Sequence, residues 1–201
     1  DSLNLFRSII DAHQPSEVSV PSELFPIFIR QLGLGLLNHL AIQPNPDWVW
    51  PFWAQRQYDP RSNDFLSRGH QILHNNMTHR NWTAVGLPDH PDEGVVDPRG
   101  LIMPCRGGWG LDFWLRENGK FFCPSQLKSA RQELELNLPL VRTLFHSDGF
   151  QTETLAFGAE VDGRPVVAVS CRASNITPTA RKGTLIAAIR PCNPEGLSPI
   201  R

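Results

Sequence analysis

Thr152-Glu153-Thr154-Leu155-Ala156-Phe157-Gly158-Ala159-Glu160-Val161-Asp162-Gly163-Arg164-Pro165-Val166-Val167-Ala168-Val169-Ser170-Cys171-Arg172-Ala173 is the stretch on which the architecture turns. Two β-prone runs, Thr152 to Val161 and Pro165 to Ala173, flank Asp162-Gly163, a dipeptide that favours a tight reversal. In the first run alternate residues such as Leu155 and Phe157 are expected to face one core. Upstream, Gly110 to Leu115 runs into Asn118-Gly119 and then Lys120-Phe121-Phe122, the strongest short hairpin signal in the chain. Gln132 to Leu136, Leu140 to His146 and Thr184 to Pro191 are further strand candidates. Six or seven strands joined by short turns predict a mainly β protein, an antiparallel β-sandwich.

The first part of the chain reads differently. Residues 2–12 and Ser22 to Leu40 have helical spacing, although Gly33 and Gly35 weaken the second. From Gln43 to Arg99 prolines punctuate what is expected to be mostly loop. The organisation predicted is a helical or irregular extension, 1–44, and a β-sandwich domain, 45–201. The chain begins Asp1-Ser2 and stops at Arg201 just after a strand-like run, and is expected to be a segment of a longer protein.

The 201 residues carry a net charge of −1, which gives no electrostatic footprint for nucleic acid. No apolar run reaches the ~18 residues of a membrane span. Leu24 to Ile42 comes nearest and is interrupted by Arg30, Gln31, Asn38 and His39, so a soluble, cytoplasmic protein is expected. No CxxC motif occurs among Cys105, Cys123, Cys171 and Cys192, which read as reduced thiols. One disulfide across a hairpin between Cys171 and Cys192 is the alternative. Asn76, Asn81 and Asn175 head glycosylation sequons that matter only on a secretory route.

Four of the six tryptophans fall between Trp48 and Leu101. Trp48, Trp50, Trp53 and Tyr58, with Trp82 beyond them, form a candidate carbohydrate-stacking platform, because sugar C–H faces pack on aromatic rings. The competing account has these rings pinning an irregular segment to the sandwich or to a neighbouring domain. Arg56, Asp59, Arg80, Asp97, Arg99 and Asp112 are the candidate loop or cleft residues. Asp59-Pro60 and Asp97-Pro98 read as turn starters whose carboxylates accept backbone N–H bonds. Arg99 is also placed to fork onto the Asp97 carboxylate. His70, His74, His79 and His90 cluster without the spacing of a zinc protease, and no metal is expected. Gly33-x-Gly35 and Gly107-Gly108-x-Gly110 are incomplete phosphate loops, and no cofactor motif or nucleophile elbow is legible.

Four strings carry a family likeness: Trp50-Pro51-Phe52-Trp53-x-x-Arg56-Gln57-Tyr58-Asp59-Pro60, His79 to Gly86, Val95 to Leu101, and Ala188-Ile189-Arg190-Pro191-x-Asn193-Pro194-Glu195-Gly196. Over residues 45–200 the chain resembles the N-terminal region of large bacterial proteins related to six-hairpin glycosidases, whose better-known members are glucoamylase-like and trehalase-like. The resemblance implies a β-supersandwich placed before an (α/α)6 barrel that holds the catalytic carboxylates. No catalytic residue is therefore carried over. The implied function is an accessory, non-catalytic domain that braces the barrel and walls part of its substrate cleft. Alternatives are a carbohydrate-binding module and a small self-contained glycoside hydrolase using Asp97 or Asp112. Without its neighbour the domain is expected to leave an apolar face that pairs two copies as a homodimer. Cys105-Arg106 departs from the turn usual in that family, and the chain stops before a supersandwich finishes.

Overall fold

A computed structural model describes residues 26, 49–65, 76, 82–135 and 138–198. All of these except Pro26 belong to the larger of two compact units, Leu34–Arg201, the other being Asp1–Gly33. Apart from Pro26, the helices read over 2–12 and 22–40 lie outside the described residues, as do Trp48, Arg80, Asn81, His70, His74 and His79. Among the described residues no helix is long and apolar enough to cross a membrane.

The molecule is an antiparallel β-sandwich. One sheet contains β1 (Thr83–Val85), β2 (Gly94–Val96), β3 (Ile102–Met103), β4 (Gly110–Glu117), β5 (Lys120–Phe122) and β10 (Gly183–Arg190). β10 pairs along all of β4, from Gly183↔Glu117 to Arg190↔Gly110. β3 meets β4 at Leu111 and β5 meets it over Leu115–Glu117, so these two share the other edge of β4. The second sheet is a meander of β6 (Arg131–Leu134), β7 (Leu140–His146), β8 (Phe150–Val161) and β9 (Arg164–Asn175). Both hairpins flagged by Asx-Gly pairs close in two residues, with φ of 49° and 80° at Asn118 and Gly119 and 51° and 72° at Asp162 and Gly163. Positive φ at both positions matches the right-handed strand twist.

The core lies between the sheets. Val85, Val96 and Ile102 of the first pack with Val141 and Ala156 of the second. Leu115 packs with Ala130, Phe145 and Phe150. Here the structure corrects the expected facing of β8. Its inward residues are Thr152, Thr154 and Ala156, all buried, while Leu155 and Phe157 turn to the half-buried outer face. Small residues fit because the cross-strand partners of Thr152 and Ala156 are Phe145 and Val141, which fill the gap between sheets.

Other corrections concern the loop and the thiols. The region read as mostly loop contains α1 (Phe52–Tyr58), β1 and β2, elements of seven, three and three residues. Strands this short show no readable period. Cys171 and Cys192 do not face each other across a hairpin, because β9 and β10 belong to different sheets. All four cysteines are free; Cys123 and Cys192 are buried and Cys105 is exposed.

The sheets approach tightly where β8 passes the end of β1. A Cβ added at Gly158 would fall inside van der Waals contact of the Gly86 carbonyl, a backbone atom that cannot swing away. Gly158→Ala is therefore expected to lower unfolding free energy by about 1–3 kcal/mol through overpacking. Urea denaturation against wild type measures this. An unchanged midpoint would show that the layers have slack there.

Candidate functional site

The turn between β2 and β3 is built around Asp97. Its Oδ1 accepts hydrogen bonds from Arg99 N at 2.7 Å and Leu101 N at 3.0 Å. Its carbonyl accepts from Gly100 N at 3.0 Å and Gln132 Nε2 at 2.6 Å. Gly100 has φ of 86° and lies against Thr143, so both backbone and space exclude a side chain there. Asp97 is only 3% exposed, and burial pushes its carboxyl up to about 7 against the pull of those two backbone donors. The Asp97 carboxylate is not forked by Arg99. The Arg99 guanidinium turns away, donates to the Ala130 carbonyl and lies 4.7 Å from the centre of the Phe52 ring.

Asp112 occupies the opposite face of β4 from the core residues Leu111, Phe113 and Leu115. Its carboxylate accepts from Trp114 Nε1 at 2.7 Å, from Phe113 N at 3.0 Å and from Arg190 Nη1 at 3.5 Å. Burial raises its pKa, opposed by the Trp114 hydrogen bond and the Arg190 charge. Arg190 also donates to the Val49 carbonyl and stacks 4.8 Å above the Trp114 ring. Burial, together with the Asp112 charge, pushes the Cys123 thiol up to about 12. Burial likewise raises Cys192 to about 12. Asp97 and Asp112 thus sit inside the fold, each engaged by internal donors.

Among the described residues, Trp50, Trp53 and Tyr58 do not share one exposed plane. Trp53 is 5% exposed, and its indole N–H donates to the Asn193 carbonyl at 2.9 Å. Trp50 packs on Leu101, Cys192 and Leu197, and its ring meets Tyr58 edge-on at 68° with centroids 5.4 Å apart. Burial raises the Tyr58 hydroxyl above its ordinary pKa. Trp82 is half-buried beside β1. These rings fasten α1 and its flank to the loop after β10.

Beside α1 opens a cleft of about 450 Å³, between that helix, the 59–63 turn, Arg99 and residues 125–128. Among the described residues, Arg56, Arg61, Arg99 and Lys128 line it against one lining carboxylate, Asp59. Asp59 Oδ1 accepts from Arg61 N at 3.0 Å and Nε at 3.1 Å, which lowers its pKa below the usual carboxylate value. Arg56 pairs with the buried Asp64. Of the residues singled out from sequence, Arg56, Asp59 and Arg99 meet in the cleft, whereas Asp97 and Asp112 do not line it. Arg61, Lys128 and Arg190 were not singled out as candidates. Arg190 falls in the motif from Ala188 to Gly196, whereas Arg61 and Lys128 carry no local signal. No family model, curated protein or solved structure matches the chain.

Asp97 makes the fold pH-sensitive. A carboxyl raised from 3.8 to about 7 binds its proton more tightly when folded. Its stabilising contribution is complete below about pH 4 and is lost as pH rises through about 7. Asp97→Asn keeps the Oδ1 acceptor and removes the charge. The variant is expected to gain stability relative to wild type as pH rises from about 4 to about 7, with no further gain above that. Thermal melts across that range check the sign, and parallel profiles would refute it.

Proposed function

We propose that this chain is an accessory, non-catalytic β-sandwich domain of a glycosidase-related protein, one that braces a neighbouring helical domain. The observation that carries this reading is on β10. Leu185, Ala187 and Ile189 pair with Leu115, Phe113 and Leu111, and so share their core-facing side. Yet Leu185 is 39% and Ile189 55% exposed, because β10 is a terminal strand that the second sheet leaves uncovered. An apolar row on an open sheet edge is a surface that favours cover by another body. The interior placement of Asp97 and Asp112 adds support, since both carboxyls serve backbone or indole donors.

The test has two arms. The chain is expected to turn over no member of an aryl glycoside panel. Turnover abolished by Asp97→Asn would replace this reading with that of a self-contained hydrolase. In the second arm, Leu185→Lys with Ile189→Lys is expected to lower binding of a hydrophobic dye while leaving the circular dichroism unchanged. Equal dye binding by both forms would remove the argument from β10.

A further inference from the structure

The cleft beside α1 has a charge pattern that bracing does not explain. Two guanidinium groups, from Arg56 and Arg99, lie 5.6 and 4.7 Å from the centre of the same Phe52 ring. Burial lowers the Arg99 pKa and the Arg56 charge adds to that, while the nearby Asp97 charge opposes both. Cations gathered in a half-buried site favour a further anion beside them. Arg61 is matched by Asp59 and Arg56 by Asp64. Among the described residues, Arg99 and Lys128 line the same cleft without a carboxylate in ion-pair contact. The volume, about 450 Å³, lies within the range of small-molecule sites. Arg99 is held at the tip of a turn fixed by Asp97 and Gly100, so its position is set before any ligand arrives.

We propose that this cleft binds the oxyanion of a small molecule, a carboxylate or a phosphate, between Arg99 and Lys128 with Arg56 adjoining. Planar guanidinium donors suit both oxyanions, and a flexible ammonium adds a point charge at the rim. The proposal is independent of the bracing role, which concerns a different surface.

The experiment titrates the whole chain with glucuronate, inorganic phosphate and glucose, read by backbone amide shifts in NMR. Saturable shifts at Arg61, Asn63, Arg99 and Lys128 with at least one anion, and none with glucose, are expected. Response to phosphate alone assigns the natural ligand to phosphates, and response to glucuronate alone assigns it to acidic sugars. Lys128→Gln, at an exposed position, is expected to weaken binding about two- to fivefold. Arg99→Gln is expected to weaken it at least about tenfold. Because Arg99 also holds Ala130, Lys128→Gln carries the test if the Arg99 variant fails to fold. No shifts with either anion, equal shifts with glucose, or unchanged affinity in Lys128→Gln would each overturn the proposal.

Discussion

The irregular end of this sandwich depends on one side-chain amide. Asn193, 3% exposed, donates from Nδ2 to the Gly108 carbonyl at 2.6 Å. Its Oδ1 accepts from Glu195 N at 2.8 Å and Gly196 N at 3.0 Å, and its own carbonyl takes the Trp53 indole. A buried loop is tolerated only when its backbone groups find partners. Asn193 supplies several at once, and so ties the exit of β10 to the 107–108 turn and to α1. Asn76, 2% exposed, extends the lattice by donating from its amide to Pro194 and from its backbone to Glu195. The glycosylation acceptor read at Asn76 is therefore a buried structural amide.

The same end of the molecule collects charge of both signs but sorts it by depth. Asp97, Asp112 and Arg190 lie inside, each answered by backbone or ring partners. Arg99 and Lys128 lie at the open cleft. At the far end of β4 the logic is repeated with one acid. Glu117 is 2% exposed; burial opposes its charge, but Arg181 at 2.6 Å and the Ser147 hydroxyl at 2.8 Å win and hold its pKa low. Glu117 thereby fastens the β7–β8 turn and the segment before β10 to one strand.

What the sequence disclosed was what lies close together along the chain. Asx-Gly pairs announced two hairpins, and β7 was bounded correctly as Leu140–His146. Asp59 and Asp97 were legible as turn residues because an Asx side chain bonds its own neighbourhood. The facing of β8 was not legible, because its outer face is half-buried and carries the bulkier side chains. The pinning role read for the tryptophans is carried out by partners remote in sequence. The burial of Trp53 depends on Asn193 and the packing of Trp50 on Leu197, about 140 residues away. The cleft joins Arg56 to Lys128 across the β2–β3 turn, a juxtaposition that no local pattern encodes.

The disposition of the four cysteine sulfurs has a chemical consequence. Cys123 and Cys192 are held as neutral thiols inside the fold, and Cys171 is half-buried beside the Thr154 hydroxyl. Cys105 alone faces outward, in the bend between β3 and β4. An oxidant or alkylating reagent therefore meets that atom first. A covalent cross-link in an ageing sample would join two molecules bend to bend, and a fluorophore carried there would report on the folded state without entering it.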